Sequence, residues 1–298
     1  MSAQRVVITG ASGLIGRALT DSLRADGVIV THLVRRTPNA PGEVPWWPGQ
    51  QPLDPEVLAD ADAVVNLNGA SIGKLPWGRR YRDLLRRSRL DPTRTLAAAI
   101  RELGDRAPHF VSASGIGFYG DRPGVTLTEV NGSGETFLAQ LCVAWEREAV
   151  AAGGAARVAL LRTAPVLHRD GVLKPLMLLT KLGLSGPLGR GTQRWPWISL
   201  DDEVRAIRHI IDHDLEGPVN LTAPEIVTAT DTGRELARQL RRPFLVPAPA
   251  RALRAALGAD AADSLLLSDA AAIPAVLTHS GFTFGEPTLA EAISSALK

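Results

Sequence analysis

Short apolar runs alternate with helical patterns through the first half of the chain. The runs lie at residues 5–9, 28–34, 63–68, 109–113 and 158–162. Such runs of β-branched and aliphatic residues are typical of parallel strands that are buried on both faces, and the helical patterns between them supply the crossovers. A further segment at 43–48 contains Pro45 and Pro48, so it fits only a short edge strand. The pattern predicts an α/β fold with a Rossmann-like, doubly wound parallel sheet.

From about Pro165 the pattern changes to proline-punctuated segments, which are typical of loops over a cleft. An amphipathic helix that contains Val204 and Ile207 follows, and we expect Asp201 or Asp202 to cap it. Residues 219–221 predict one more strand. We therefore predict a dinucleotide-binding domain over residues 1–165, to which later segments return, and a smaller substrate lobe over residues 166–298.

The first apolar run leads through a glycine-rich turn into a helix, with the sequence VVITGASGLIGRAL at residues 6–19. Gly10 allows a sharp turn off the strand, Gly13 lets the backbone approach a pyrophosphate, and Gly16 lets the helix pack closely on the sheet. The free amides at the helix start favour a negatively charged ligand. The GxxGxxG spacing is a relative of the GxGxxG fingerprint, and a second strand follows at the distance of a βαβ unit. The motif predicts dinucleotide binding.

The second predicted strand ends in Arg35 and Arg36, where NAD-specific proteins usually carry an acidic residue. Guanidinium groups suit the 2′-phosphate of NADP(H), and Ser12 can add a hydrogen bond to the same phosphate. A solvated strand end is the alternative interpretation of the arginine pair. We predict NADP(H) as the cofactor.

Composition narrows the class of protein. The 298 residues carry a net charge of +2 and are 45% hydrophobic, which is ordinary for a globular protein and too weakly basic to argue for nucleic acid. Cys142 is the single cysteine, so the chain has neither an internal disulfide nor a thiolate metal cage, and we predict no metal. The chain enters its first strand almost at once, and no apolar run approaches the roughly 20 residues of a membrane span. We expect a cytoplasmic protein without a membrane partner.

Further motifs follow the glycine-rich turn in order. They lie at 66–69 (NLNG), 112–120 (SASGIGFYG), 137–146 (FLAQLCVAWE), 183–189 (GLSGPLG), 197–202 (WISLDD) and 220–224 (NLTAP), with a tail from 246 to 282. Almost the whole chain thereby resembles the atypical extended short-chain dehydrogenases/reductases, in the branch of epimerase-family proteins and NADP-dependent oxidoreductases. The resemblance implies a Rossmann-like domain that binds NADP(H) across the strand ends. It also implies a smaller C-terminal lobe that closes over the nicotinamide, with a characteristic C-terminal domain from about residue 247.

The resemblance implies cofactor contacts as well. Carried over by position, they are Gly10, Ser12, Gly13, Leu14, Ile15, Arg35, Leu67, Asn68, Arg89, Ala164, Pro165 and Val166. Leu67 and Asn68 would lie beside the adenosine half, and Pro165 beside the nicotinamide amide. A small-molecule substrate is implied, and a helix pair could form the homodimer that is common in the superfamily.

Ordinary members of this superfamily use a Ser with a Tyr and a Lys in a YxxxK motif, in which the Lys lowers the pKa of the Tyr. This chain has no YxxxK in the stretch 137–146, where Cys142 and Glu146 lie four residues apart. Ser114 is then the candidate that polarises a substrate oxygen, and Tyr119 or a bound water is the candidate proton donor. Packing of Tyr119 beneath its loop is an equal alternative.

Three functions follow from these patterns. The leading hypothesis is an NADP(H)-dependent oxidoreductase that acts on a small carbonyl, alcohol or conjugated substrate. The second is a sugar-nucleotide-type epimerase that retains its cofactor. The third is a non-catalytic NADPH-binding regulator, which the missing YxxxK favours.

Overall fold

A seven-stranded parallel sheet forms the centre of the computed structural model, which describes residues 4–298. The strands are β1 (Arg5–Thr9), β2 (Ile29–Val34), β3 (Glu43–Pro45), β4 (Ala63–Asn66), β5 (His109–Ala113), β6 (Thr126–Leu127), β7 (Val158–Thr163), β8 (Val166–Leu167), β9 (Ile198–Ser199), β10 (Gly217–Leu221) and β11 (Ala271–Ala272). The helices are α1 (Leu14–Ala25), α2 (Arg79–Glu102), α3 (Phe137–Val150), α4 (Leu173–Lys181), α5 (Leu200–Asp212), α6 (Ala229–Gln239), α7 (Ala250–Leu257), α8 (Ala259–Ala262), α9 (Ala275–His279) and α10 (Leu289–Ala296).

The strand order is β10-β7-β5-β4-β1-β2-β3, so the chain winds outward from β1 in both directions. β1 and β4 are neighbours at the point of reversal, with Thr9 opposite Asn66 in the register. A crevice forms at the carboxyl ends of the strands at such a reversal, and dinucleotides bind there in folds of this class. This topology confirms the predicted doubly wound sheet, and β3 lies at its edge as expected. β4 ends at Asn66, so Leu67 and Asn68 lie in the loop beyond it.

Helices cover both faces of the sheet. Val6 and Ile8 belong to the hydrophobic core on one face of the sheet, together with Ile207 of α5. Val7 belongs to the core on the opposite face, together with Ile100 of α2. The alternation follows from the two-residue period of a strand, and a fully buried aliphatic side chain stabilises the fold by about 1.5–3 kcal/mol relative to an exposed one. No helix within residues 4–298 combines the length and the apolar character that crossing a bilayer requires.

Residues after 165 divide between two parts of the molecule. α5 and β10 return to the central sheet, where β10 pairs with β7. α4, α6 and α10 enclose a separate core that contains Leu173, Leu236 and Ile293. The segment after α6, from α7 to a π-helical turn at Asp263–Leu267, packs on α2 and α3. β11 pairs with β6 of the first half of the chain.

Ser199 caps helix α5, since its Oγ accepts a hydrogen bond from the Asp202 amide at 3.1 Å. The predicted aspartate cap is therefore wrong. The Asp202 carboxylate instead accepts hydrogen bonds from the amides of Gly285 at 2.7 Å and Glu286 at 3.0 Å, and it pairs with Arg205. Asp202 thus fastens the C-terminal segment to the start of α5.

Candidate cofactor and active site

The glycine-rich turn lies beside the loop that follows β4. Gly10 has a φ of +74°, and a Cβ there would lie 2.6 Å from the carbonyl oxygen of Leu67. A Cβ on Gly16 would lie 2.5 Å from the carbonyl oxygen of Gly10. A Cβ on Gly13 would meet the same oxygen at 3.2 Å and, within the described part of the chain, nothing else within 4 Å. The fold therefore requires Gly10 and Gly16, whereas a Cβ on Gly13 would require only a small shift of the Gly10 carbonyl group.

Helix α1 begins at Leu14, with Gly13 as its N-cap and no side-chain hydrogen bond to that cap. The first amides of a helix have no partner inside the helix, so those of Leu14 and Ile15 remain available to a ligand. Ser12 and Gly13 are exposed beside them. Uncovered amides at the positive end of a helix dipole suit a phosphate, so the turn fits the predicted diphosphate group.

The two arginines that follow β2 differ in their surroundings. Arg36 donates to both carboxylate oxygens of Glu43, at 2.8 and 2.6 Å, and the Asn39 amide donates to the same carboxylate at 2.8 Å. The hydrogen bonds from Arg36 contribute most to lowering the pKa of Glu43 to about 2. Arg35 is exposed and forms no ion pair with any residue of 4–298. Arg35 is therefore the guanidinium that is free for a 2′-phosphate, and Arg36 orders the loop.

A buried polar network fixes the end of β4. Asn66 is fully buried, and its Oδ1 accepts hydrogen bonds from Thr9 Oγ1 and Asn68 Nδ2, each at 3.0 Å. Its Nδ2 donates to Thr93 Oγ1 at 2.8 Å. These bonds join β1, β4 and α2, so they hold the Leu67–Asn68 turn in place against the glycine-rich turn.

Arg89 lies on α2, close to the loop after β4. Its guanidinium stacks over the Trp145 ring at 5.2 Å, and its Nη1 donates to the Leu85 carbonyl oxygen at 3.2 Å. A Cβ on Gly69 would lie 3.1 Å from Arg89 Cζ. Burial lowers the pKa of Arg89. No carboxylate within residues 4–298 forms an ion pair with it. A partly buried guanidinium without a carboxylate is stabilised by a bound anion, so Arg89 fits a cofactor phosphate.

Ser114 lies directly after β5 and keeps 7% of its surface exposed. Its Oγ donates to Glu146 Oε1 at 2.7 Å. Arg162 of β7 holds the same carboxylate with two hydrogen bonds, from Nε to Oε1 at 2.9 Å and from Nη2 to Oε2 at 3.0 Å. The structure thus joins β5, α3 and β7 through one buried ion pair, with the serine at its edge.

Tyr119 is fully buried, and its hydroxyl lies 2.8 Å from Asn220 Oδ1 and 2.9 Å from the Thr128 carbonyl oxygen. It also accepts a hydrogen bond from Arg162 Nη1 at 3.0 Å. Burial raises the pKa of Tyr119. The predicted role as a proton donor to substrate is incompatible with this position, because Tyr119 is fully buried and its hydroxyl proton lies between the oxygens of Asn220 and Thr128. Tyr119 takes the packed alternative.

Cys142 is buried on α3 near Ser114. Burial, followed by the nearby Glu146 charge, raises the pKa of its thiol to about 11. The thiolate is the reactive form of cysteine, so we expect Cys142 to be an unreactive thiol at neutral pH.

The predicted nicotinamide turn, Ala164 to Val166, joins β7 to β8. The Ala164 amide donates to the Leu221 carbonyl oxygen at 2.9 Å, while Pro165 is exposed. Beneath the turn, Thr163 Oγ1 donates to Glu203 Oε1 at 2.8 Å, and burial raises the pKa of Glu203 to about 8. Glu203 Oε2 is buried without a partner in the described structure.

Two family models match the chain. The model of the NAD dependent epimerase/dehydratase family matches residues 6–222, and that of a domain of unknown function, DUF1731, matches residues 248–296. The chain belongs to the NAD dependent epimerase/dehydratase family. The predicted membership of the epimerase family, with its own C-terminal domain, is confirmed.

Individual members of the family extend this result. An epimerase family protein of Mycobacterium leprae is 42% identical over 294 residues, which cover 98% of this chain and 95% of that protein. The crystal structure of human epimerase family protein SDR39U1 with NADPH matches with a TM-score of 0.88 at 28% identity and covers 99% of this chain and 100% of that chain. A nucleoside-diphosphate sugar epimerase from Corynebacterium glutamicum matches with a TM-score of 0.80 at 34% identity, over 99% of this chain and 58% of that chain.

Sequence reasoning missed three charged residues near the candidate active site of this protein. Arg162 interrupts the apolar run of β7, and Glu203 lies on the buried side of α5. Each is a charged residue at a position that the periodicity assigns to the core, which is the signal that identifies it. Glu146 was considered only as a neighbour of Cys142, and its bonds to Ser114 and Arg162 depend on the fold.

Proposed function

We propose that this protein is an NADP(H)-dependent oxidoreductase that acts on a small carbonyl, alcohol or conjugated substrate. The observation that carries the proposal is Arg89, a partly buried guanidinium without a carboxylate partner among the described residues. It lies beside Gly69, at the same edge of the sheet as the start of α1, where no side chain caps the helix. Two separate groups at this edge thus favour phosphates. The NADPH in the human SDR39U1 structure supports the assignment by similarity.

The predicted contacts divide between the parts of the cofactor. Gly10, Ser12, Gly13, Leu14 and Ile15 would hold the diphosphate, and Arg35 would bind the 2′-phosphate. Leu67 and Asn68 would lie along the adenosine half, and residues 164–166 beside the nicotinamide. When bound, the cofactor supplies or accepts a hydride, and the protein orients the substrate and controls its proton. Ser114 is the proposed substrate contact because it lies at the carboxyl edge of β5 and is still partly exposed.

A sugar-nucleotide epimerase is the second candidate, supported by the name of the Corynebacterium glutamicum relative. An epimerase returns the hydride to its substrate, so the amount of reduced cofactor stays constant over many turnovers. An oxidoreductase changes it with every turnover, and a regulator binds NADPH without any reaction.

The test begins with calorimetric titration of the purified protein with NADPH and NADH. We expect NADPH to bind more tightly, and no binding of either nucleotide would refute the proposal. The absorbance of reduced nicotinamide is then followed with a panel of aldehydes, ketones and secondary alcohols. Continued change over many equivalents of substrate supports the oxidoreductase. Conversion of a nucleotide sugar at constant absorbance supports the epimerase, and binding without turnover supports the regulator.

A further inference from the structure

The hydroxyl proton of Ser114 is donated to Glu146. Ser114 Oγ donates to Glu146 Oε1 at 2.7 Å, and a serine hydroxyl has one proton to donate and two lone pairs that accept. Ser114 therefore offers a ligand only its lone pairs while this bond exists. A substrate hydroxyl can donate to those lone pairs, whereas a carbonyl oxygen cannot.

Building on the oxidoreductase proposed above, we propose that Glu146 exchanges the reaction proton through Ser114, and that the group recognised in the oxidation direction is the hydroxyl of an alcohol. The alcohol proton passes to Ser114 Oγ, while the Ser114 proton passes to Glu146 Oε1. The C–H bond of the carbinol breaks, and its hydrogen leaves with the bonding electrons to the oxidised nicotinamide. The products are a carbonyl compound, reduced nicotinamide and a protonated Glu146, and carbonyl reduction is the reverse.

The surroundings of Glu146 suit this task. Glu146 and Arg162 are buried at 8% and 4% exposure, and the two hydrogen bonds from Arg162 fix the carboxylate in one orientation. Arg162 is itself held, since its Cζ lies 3.6 Å from the Phe118 ring centroid and its Nη1 donates to Tyr119. A fixed acceptor requires little reorganisation when the proton arrives.

Tyr119 cannot take over the role, because its hydroxyl is enclosed on the far side of Arg162 from Glu146. The titratable and charged groups that face Glu146 are Arg162 from β7 and Cys142 on its own helix. Ser114 is thus the one hydroxyl among the described residues that donates directly to this carboxylate.

Cys142 reports the charge of Glu146 without any substrate. Cys142 is the only cysteine of the chain, so thiolate absorbance monitors this single site. The charge of Glu146 is one of the causes that raise the pKa of this thiol, after burial. Because Glu146 forms a buried ion pair with Arg162 close to this thiol, we expect Glu146→Gln to lower the pKa of Cys142.

The experiment compares wild-type protein with Glu146→Gln, Ser114→Ala and a matched control, Glu148→Gln. Glu148 lies on the same helix and pairs with the exposed Arg94, so its substitution makes a similar change at the surface. The double variant Glu146→Gln/Arg162→Gln is added because it leaves no unpaired buried guanidinium if the single variant fails to fold. Each protein is assayed for the Cys142 titration, NADPH affinity, and turnover of secondary alcohols with NADP⁺ and of the matching ketones with NADPH.

We expect Glu146→Gln to lower the pKa of Cys142 and Glu148→Gln to leave it unchanged. Turnover should fall by about 10²–10⁴-fold in Ser114→Ala and in both Glu146 variants, because that is the range that positioned proton transfer supplies. NADPH affinity should be similar in all five proteins. An unchanged Cys142 titration in Glu146→Gln, or turnover that persists in the Glu146 variants, would overturn the proton route alone. Wild-type protein that binds NADPH but converts no alcohol or ketone would overturn the proposed oxidoreductase and the proton route with it.

Discussion

Glu203 provides a prediction about stability that can be worked out from its surroundings. Its carboxyl is fully buried in α5, accepts one hydrogen bond from Thr163, and has a second oxygen without a partner among the described residues. Burial disfavours the charged form, which raises the pKa from the ordinary 4.5 to about 8. Glu203 is therefore neutral in the folded protein at pH 7 and ionised in the unfolded chain.

The sign of the pH dependence follows from proton binding. Between pH 4.5 and pH 8 the folded protein holds a proton on Glu203 that the unfolded chain has lost. The stability from this proton is fully present below pH 4.5 and is lost progressively as the pH rises to about 8. From pH 5.5 to pH 8.5 the loss amounts to about 3 kcal/mol in the free energy of unfolding, at about 1.4 kcal/mol for each pH unit over which the proton remains bound.

Glu203→Gln removes the titration and keeps the shape of the side chain. The free energy of unfolding of Glu203→Gln minus that of wild type should therefore increase by about 3 kcal/mol from pH 5.5 to pH 8.5. The buried Gln amide adds a cost of its own, but that cost is the same at every pH, so the change with pH is the diagnostic quantity. The histidines titrate equally in both proteins and cancel.

The assay is urea unfolding of wild type and Glu203→Gln at several pH values across this range, monitored by tryptophan fluorescence. Glu56→Gln is the matched control, because Glu56 is an exposed carboxylate whose pKa is lowered by its hydrogen bonds with Arg106 and which is therefore ionised throughout the range. A difference between wild type and Glu203→Gln that does not change between pH 5.5 and pH 8.5 would refute the assignment of a neutral, buried Glu203.

Three further predictions concern the cofactor crevice and helix α5. Gly13→Ala should lower the thermal unfolding midpoint only slightly, because its Cβ would lie 3.2 Å from the Gly10 carbonyl oxygen. It should weaken NADPH binding by roughly 100-fold in calorimetry, because the Cβ blocks about two charge-assisted hydrogen bonds, and retained affinity would contradict the diphosphate site. Arg35→Ala should weaken NADPH binding by about 10- to 100-fold without affecting NADH, whereas Arg36→Ala should change both affinities equally; equal losses for Arg35→Ala would remove the phosphate assignment. Ser199→Ala should lower the free energy of unfolding in urea by about 1 kcal/mol, and a larger loss for Asp201→Ala would restore the aspartate cap.

Much of the fold was predictable because its signals are local. The apolar run of β1, the glycine spacing and the arginines after β2 lie within about 30 residues, and each depends on backbone geometry that the residues themselves dictate. Family resemblance extended the prediction to Arg89, which lies far along the chain. The structure then separated Arg35 from Arg36, because Glu43 belongs to a different strand and the sequence does not show which arginine it contacts.

The active-site prediction was less complete because its contacts are distant in sequence. Ser114 was expected to donate to a substrate, yet its proton goes to Glu146, which lies 32 residues away on α3. Tyr119 was a candidate because the chain has only two tyrosines, but burial depends on the packing of β10 and α3 around it. Side-chain direction in such a network follows from tertiary contacts that no periodicity in the chain encodes.

The pairing of β11 with β6 bears on how the two matched families are understood. β11 lies within the DUF1731 segment, yet its hydrogen-bonded partner lies in the epimerase segment more than 140 residues earlier. The Asp202 carboxylate likewise accepts hydrogen bonds from the amides of residues 285 and 286. A gene truncated at the border between the families would encode a protein in which β6 has lost its paired strand and Asp202 has lost these two amide donors. The border separates two sequence families, and the physical unit that must be cloned, expressed and crystallised extends across it.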